Sequence, residues 1–213
     1  MKKAIVLGST GMVGTQLIDL LLQSNNYAEV VSLVRRASGI THPKLNEQVV
    51  DFERPETWSD FVRGDVLFSC MGTTIAKAKS KDNQYKIDYT YQYNVAEVAS
   101  KNDVPVYVLV SSAGANENSV TFYTYMKGQL DVDVQKLPFK VISILRPGQL
   151  YGDRTENRTG EKVGLSVMFA LNKLGILKKL KPIHAREVAQ AMINSAENKQ
   201  NTISTLSEIF ELL

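Results

Sequence analysis

The stretch that decides the fold is Ala4-Ile-Val-Leu-Gly-Ser-Thr-Gly-Met-Val-Gly14. Its first four residues form an apolar run that suits a strand buried on both faces of a parallel sheet. Apolar residues then recur at helical spacing through Val13, Leu17 and Leu21. A strand that turns tightly into a helix presents free backbone N–H groups and the positive end of the helix dipole, which together bind phosphate. The sequence therefore predicts a phosphate-binding strand–turn–helix unit.

Three glycines occur in this turn with the spacing G-x-x-G-x-x-G. The first interval is one residue longer than in the dinucleotide fingerprint G-x-G-x-x-G. We expect Gly8 to make the turn, Gly11 to let the backbone approach a pyrophosphate, and Gly14 to let the helix pack closely on the strand. The alternative is an ordinary glycine-rich turn. The residues predicted to contact a dinucleotide here are Gly8, Ser9, Thr10, Gly11, Met12, Val13 and Gly14.

Composition indicates one globular domain. The chain has 213 residues, of which 44% are hydrophobic, enough for a sizeable core. We expect residues 1–213 to form a single nucleotide-binding domain in which 149–213 supply a small substrate-side lobe. A net charge of +3 is too small to indicate a nucleic-acid partner, and we expect a small-molecule substrate and no metal site.

The sequence also leads us to expect a cytoplasmic protein. The single Cys70 fits a reducing compartment, and Met1-Lys2-Lys3 leads directly into the first strand without a signal sequence. The longest apolar stretch, Gly164–Leu177, is interrupted by Asn172 and Lys173, so we expect no membrane span.

Strand and helix patterns alternate along the chain, which predicts an α/β fold, a right-handed doubly wound parallel sheet of the Rossmann type. After the first strand, the predicted strands are Glu29–Val34, Gln48–Asp51, Asp65–Cys70, Pro105–Ser112, Lys140–Leu145 and Thr202–Thr205. After the first helix, the predicted helices are Pro55–Val62, Asp82–Asn102, Thr121–Leu137, Glu161–Leu174, Ala185–Glu197 and Leu206–Leu213. In this fold the phosphate-binding turn and the catalytic groups meet at the carboxyl ends of the strands.

The end of the second strand predicts NADP(H) as the cofactor. An Asp or Glu at that position usually binds the ribose 2′-hydroxyl of NAD, but this chain has Val34-Arg35-Arg36. The planar donors of arginine match a phosphate group, so we assign the 2′-phosphate to Arg35 first and Arg36 second. The alternative is a pair of solvated surface arginines.

Two further strand ends are placed to contact the adenosine. Asp51-Phe52 follows the third strand, where the carboxylate can accept a hydrogen bond from the adenine amino group. Cys70-Met71-Gly72 follows the fourth strand and would pass beneath the adenosine ribose. For Cys70, buried packing is favoured over a role as a reactive thiol.

A candidate catalytic group follows the fifth strand. Tyr123 and Lys127 are four residues apart, so on a helix both side chains point into one pocket. A phenol alone titrates near pH ~10, and a nearby ammonium lowers that pKa and can also hold the nicotinamide ribose. Ser112, at the end of the strongest strand, can orient the substrate oxygen. The alternative is an exposed helix face that carries Tyr-x-x-x-Lys by chance.

These motifs carry a family resemblance. The chain resembles an atypical short-chain dehydrogenase/reductase, and in particular the Tat-interactive protein oxidoreductase family. The resemblance rests on 49–53 (Val-Val-Asp-Phe-Glu), 70–74 (Cys-Met-Gly-Thr-Thr), 111–115 (Ser-Ser-Ala-Gly-Ala), Tyr123 with Lys127-Gly128, 146–148 (Arg-Pro-Gly), Asp153-Arg154, Glu156 and Arg158. It implies an NADP(H)-binding Rossmann domain with Tyr123 and Lys127 as the catalytic pair. It also implies cofactor contacts at Ser111, Pro147, Gly148 and Leu150.

The sequence thus predicts an NADP(H)-dependent oxidoreductase acting on a small carbonyl or alcohol. One alternative is a regulatory protein that binds NADPH as a signal with little catalysis. The other is a sugar-nucleotide epimerase or dehydratase, to which the chain has a more distant resemblance. The helices predicted over Asp82–Asn102 and Thr121–Leu137 are candidates for a homodimer contact.

Overall fold

The computed structural model describes residues 1–152, 182–198 and 200–213. The predicted helix Glu161–Leu174, the apolar stretch Gly164–Leu177 and the charged residues Asp153, Arg154, Glu156 and Arg158 lie outside the described residues. No helix within the described ranges is both long enough and apolar enough to cross a membrane.

Strands and helices alternate as predicted along most of the chain. The strands are β1 (Lys2–Leu7), β2 (Tyr27–Val34), β3 (Leu45–Val49), β4 (Val66–Ser69), β5 (Val106–Val110), β6 (Val141–Arg146), β7 (Leu150–Tyr151), β8 (Ile183–His184) and β9 (Thr202–Thr205). The α-helices are α1 (Met12–Gln23), α2 (Ile75–Ala78), α3 (Lys81–Tyr85), α4 (Tyr91–Lys101), α5 (Phe122–Val134) and α6 (Ala185–Ser195). A π-helical turn covers Lys86–Thr90, and 3-10 turns cover Pro55–Thr57, Ser59–Phe61 and Leu206–Leu212.

Seven strands form one parallel sheet in the order β3-β2-β1-β4-β5-β6-β9. The chain first builds outward from β1 to β3 and then crosses back to β4 on the other side of β1. In such a sheet, ligands bind in the crevice at the carboxyl ends of the strands where the direction of winding reverses. The predicted doubly wound α/β fold is confirmed, and the crevice lies between β1 and β4.

Two hydrophobic cores cover the two faces of the sheet. Along β1, Ala4 and Val6 point into the core that contains α1 and α6, whereas Ile5 and Leu7 point into the core that contains α4 and α5. Alternate residues of a strand face opposite sides, so a strand covered by helices on both sides is apolar throughout. This double burial explains the continuous apolar run at the start of the chain.

The helix predicted over Asp82–Asn102 is interrupted in the structure. Between α3 and α4, the backbone forms the π-helical turn Lys86–Thr90, which contains the buried residue Asp88. A π turn inserts an extra residue into a helix and is frequent at functional sites. The helix predicted over Pro55–Val62 is instead two 3-10 turns, and α2, β7 and β8 were not predicted because each has only two to four residues.

Candidate functional site

The turn after β1 contains two positions where no side chain fits. Gly8 has φ +89°, and a Cβ atom there would lie 2.5 Å from the backbone nitrogen of Met71. A Cβ atom on Gly14 would lie 2.1 Å from the carbonyl oxygen of Gly8. Both distances are far inside van der Waals contact, so strand, helix and the loop after β4 can approach this closely only with glycine. The tight turn and the close helix packing predicted from the sequence are both present.

The first turn of α1 has backbone donors free to bind a ligand. The helix begins after Gly11, and within the described residues no side chain caps it and its first turn holds no acidic group. The N–H of Thr15 bonds back to the carbonyl of Gly11, which is the first backbone bond of the helix. Free N–H groups at the positive end of a helix dipole form a receptor for an anion.

Two adjoining cavities run from this turn along the carboxyl ends of the strands. The large cavity has a volume of about 520 Å³ and extends toward β5 and α5. The small cavity has a volume of about 220 Å³ and extends toward β2. We call the residues that line both cavities the waist of the groove: Thr10, Gly11, Cys70, Met71, Gly72, Thr73 and Lys77.

The small cavity combines an aromatic wall with a cation. Phe52 is buried and stacks on Tyr91 with the ring centroids 5.4 Å apart, and both residues line the cavity. Arg35 also lines it and is exposed to solvent. A flat apolar wall next to a guanidinium can hold an aromatic base and an adjacent phosphate.

Cys70 is a packing residue of the waist. Its thiol donates a hydrogen bond to the carbonyl of Leu7 at 3.3 Å. Burial raises the pKa of Cys70 to about 12, so the thiol is not ionised at neutral pH. This raised pKa favours packing over a role as a reactive thiol, since a reactive cysteine has a lowered pKa, and Cys70 is partly buried.

The predicted catalytic pair lies on the wall of the large cavity. Tyr123 is in the first turn of α5 and is 40% exposed, whereas Lys127, one turn further on, is 3% exposed. Both residues line the cavity, together with Ser111 from the end of β5. The phenol is therefore open to a substrate, and the amine is enclosed beneath it.

Lys127 forms a buried ion pair that the sequence analysis did not find. Its Nζ lies 3.2 Å from Oδ1 of Asp88 in the π turn, and the Asp88 side chain is 1% exposed. Burial lowers the pKa of Lys127, but the charge of Asp88 and the hydrogen bond to it, with a smaller effect of Asp131, outweigh burial and leave that pKa above its ordinary value. Lys127 is therefore an ammonium ion at neutral pH, with donors to share between Asp88 and a ligand.

Asp88 belongs to a polar stripe of Gln84, Asp88 and Gln92 that fixes the wall of the groove. Asp88 Oδ2 accepts a hydrogen bond from the N–H of Thr73 at 2.9 Å, and Gln84 Nε2 donates to the carbonyl of Thr73 at 3.3 Å. The hydroxyl of Ser69 donates to Gln92 Oε1 at 2.8 Å, and Gln92 Nε2 donates to the carbonyl of Asp88 at 2.6 Å. The loop after β4 is thus held in place by the same residue that pairs with Lys127.

A second buried pair lies one helical turn beyond Lys127. Asp131 is 0% exposed, and its Oδ2 lies 2.8 Å from Nε of Arg146 at the end of β6. Burial raises the pKa of Asp131, against the opposing effect of Arg146. Tyr123, Lys127 and Asp131 therefore follow one face of α5 from the cavity mouth into the core, and two carboxylates balance two cations beneath the cavity.

The structure brings most, but not all, of the predicted site residues into the groove. Ser111 lines the large cavity, but Ser112 does not; among the described residues, the Ser112 hydroxyl donates to the carbonyl of Ala113 at 3.4 Å. Leu150 also lines the large cavity. The other predicted residues that lie on neither cavity wall are Ser9, Gly14, Arg36, Asp51, Pro147 and Gly148. The ligand contacts assigned to all of these residues stay predictions.

The groove has the features that a dinucleotide requires. A phosphate receptor lies at its waist. An aromatic wall with an arginine lies at one end, and a phenol and an amine lie at the other. A family model described as NAD(P)H-binding matches residues 8–199. The chain belongs to this NAD(P)H-binding family.

The chain is similar in sequence to the FMP52 proteins of yeasts. It is 38% identical over 208 residues to protein FMP52-1 of Scheffersomyces stipitis, covering 91% of this chain and 88% of the relative. It is 34% identical over 202 residues to protein FMP52 of Candida albicans, covering 92% and 88%. It is 36% identical over 159 residues to protein FMP52 of Saccharomyces cerevisiae, covering 72% and 68%.

These relatives correct one prediction from the sequence. All three are named mitochondrial proteins, so the predicted cytoplasmic location is wrong. A single cysteine indicates a reducing compartment but does not distinguish the cytosol from other such compartments. The predicted resemblance is supported as far as an NAD(P)H-binding Rossmann-fold protein similar to the FMP52 proteins. The finer resemblance to the Tat-interactive family stays a prediction.

Solved structures share the fold at low sequence identity. The Bordetella bronchiseptica enzyme WbmH in complex with NAD+ matches with a TM-score of 0.72 and 16% identity, covering 94% of this chain and 74% of that chain. UDP-glucose 4-epimerase of Thermotoga maritima, with UDP-glucose, matches with a TM-score of 0.70 and 16% identity, covering 94% and 76%. At this identity the likeness supports the Rossmann fold alone.

Proposed function

We propose that the chain is an NADP(H)-dependent oxidoreductase that interconverts a small carbonyl compound and its alcohol. The observation that carries the proposal is the pairing of Tyr123 and Lys127 on one wall of the large cavity, at the carboxyl ends of the strands. Membership of the NAD(P)H-binding family supports the cofactor. The choice of NADP(H) over NAD(H) is supported by Arg35 in the small cavity and by the absence of a carboxylate among the residues described as lining that cavity.

Each residue of the large cavity has a chemical role in this proposal. The bound nicotinamide supplies or accepts the hydride. Tyr123, which is open to the cavity, gives a proton to the substrate oxygen or takes it back. Lys127 holds the nicotinamide ribose with the donors that Asp88 leaves free and supplies positive charge beneath the phenol. Ser111 lines the same cavity; its hydroxyl oxygen is buried and has no hydrogen-bond partner among the described residues, and a rotation of the side chain would aim it at a bound nicotinamide.

The test is a screen of small carbonyl compounds by NADPH absorbance, followed by Tyr123→Phe. We expect the variant to lose about 10²–10⁴-fold in turnover, because the general acid is removed, and to retain its affinity for NADPH. Tyr125→Phe is the matched control: Tyr125 is also exposed on the first turns of α5 but lines neither cavity.

Three outcomes are informative. Loss of turnover in Tyr123→Phe together with full turnover in Tyr125→Phe supports the proposal. Unchanged turnover in Tyr123→Phe contradicts the role of the phenol. A wild-type protein that binds NADPH but oxidises it with no compound of the screen would favour a regulatory NADPH-binding protein.

A further inference from the structure

The waist of the groove contains a cation that the proposed function does not use. Of the described residues that line both cavities, Lys77 is the one with a charged side chain. The waist separates the aromatic wall of the small cavity from the phenol and amine of the large cavity. In a dinucleotide, the diphosphate occupies the corresponding middle position, between the adenosine and the nicotinamide ribose.

Lys77 is carried on a wall whose position is fixed. It lies in α2, and Thr74 caps this short helix with its hydroxyl 3.4 Å from the N–H of Lys77. The preceding residue, Thr73, is held through its N–H by Asp88 and through its carbonyl by Gln84. The polar stripe therefore anchors Thr73, the residue before the cap of the helix that carries Lys77.

The opposite side of the waist is neutral. Thr10 and Gly11 line it there without a charged side chain, and the N–H of Gly11 already bonds to the carbonyl of Gly8 at 3.0 Å. The N-terminal end of α1 contributes a partial positive charge of about one half. A diphosphate carries two negative charges, so this receptor leaves most of the charge uncompensated. An ammonium on a flexible stem is a point charge that can approach phosphate oxygens from several directions.

We propose that Lys77 binds the diphosphate of the dinucleotide from the wall opposite the glycine turn. The inference deepens the proposed function and rests only on its dinucleotide-binding half, which the family supports, and not on hydride transfer. It assigns the loop and short helix after β4 a direct role in cofactor affinity. It also predicts that the affinity from Lys77 is common to NADPH and NADH, since both contain the diphosphate.

The test compares Lys77→Met with Lys79→Met. Lys79 is an exposed lysine two residues further along that lines neither cavity, so both variants lose one positive charge and retain an aliphatic chain. Calorimetric titration would use ADP-ribose, which contains the diphosphate, and 2′-AMP, which does not. We expect Lys77→Met to weaken ADP-ribose by about ten- to hundredfold, the range for a hydrogen bond to a charged group, and to leave 2′-AMP unchanged.

The other variants separate the possible failures. Lys79→Met should bind ADP-ribose as the wild type does, and Lys77→Arg should retain most of the affinity because it keeps the charge. The inference would be overturned if Lys77→Met and Lys79→Met lost the same affinity for ADP-ribose, or if Lys77→Met lost the same affinity for ADP-ribose and 2′-AMP. A wild-type protein that binds no ADP-ribose would contradict the dinucleotide site itself, whereas wild-type affinity in Lys77→Met would contradict only the role of the lysine.

Discussion

The charged side chains at the two ends of the groove differ in their exposure to solvent. At the end near α5, the ion pair of Lys127 with Asp88 is enclosed by protein, and in the pair of Arg146 with Asp131 the carboxylate is fully buried and the arginine is 23% exposed. At the end near β2, Arg35 lies at the surface and is open to solvent. Buried pairs are held in one geometry by the surrounding fold, whereas an exposed arginine contributes mainly when a phosphate meets it. The first end is therefore organised before a ligand binds, and the second depends on the ligand.

The largest expected effect of this difference is on stability. Asp88→Asn keeps the size of the side chain but leaves the ammonium of Lys127 buried without its counter-charge. We expect the free energy of unfolding to fall by about 3–5 kcal/mol, the usual cost of breaking a buried pair. Urea denaturation followed by circular dichroism measures this change.

An exposed pair supplies the control for this experiment. Lys101 lies 2.9 Å from Glu97 on α4, with side chains 67% and 41% exposed. Lys101→Ala should change the free energy of unfolding by less than about 1 kcal/mol. If the two variants lose the same stability, the contrast between buried and exposed charges is not valid for this protein.

The exposed end should instead affect cofactor choice. Arg35→Ala removes the guanidinium from the small cavity, so we expect NADPH to bind about ten- to hundredfold more weakly. NADH lacks the 2′-phosphate and should bind nearly as before, with no change in stability. Fluorescence titration with both cofactors measures this ratio.

The neighbouring arginine tests the assignment to Arg35. Arg36 lines neither cavity, so Arg36→Ala should weaken NADPH less than Arg35→Ala does. Equal losses of NADPH and NADH in Arg35→Ala would remove the assignment of the 2′-phosphate to this residue.

The parts of the site that depend on local spacing could be predicted from the sequence. The turn at Gly8, the second-strand end at Arg35 and the pair Tyr123 and Lys127 depend on short spacings within one strand–turn–helix unit or one helix. These features needed no knowledge of distant contacts. The fold followed from the same local patterns, because alternating strands and helices leave few arrangements other than a doubly wound sheet.

The buried pair of Lys127 with Asp88 could not be found in this way. The apolar spacing over Asp82–Asn102 predicts a continuous helix, and the π turn that contains Asp88 has no sequence signal of its own. One sign was present: Gln84, Asp88 and Gln92 occur at intervals of four residues, in line with the buried Val95. A polar stripe on the core-facing side of a helix indicates bonding to a neighbouring element, since buried polar groups need partners.

The two serines after β5 show the limit of strand boundaries and carry the smallest expected effect. The strand was predicted to extend to Ser112 but ends at Val110, so alternation along a strand does not decide which hydroxyl faces the cavity. Ser111 is 6% exposed and lines the large cavity with its hydroxyl oxygen buried, whereas Ser112 does not line the cavity. Ser111→Ala should therefore weaken NADPH by about two- to tenfold, the value of a neutral hydrogen bond. Ser112→Ala should leave NADPH affinity unchanged, because Ser112 is predicted to orient the substrate oxygen instead of the cofactor. A loss of NADPH affinity in Ser112→Ala but not in Ser111→Ala would contradict the assignment of the cofactor contact to Ser111.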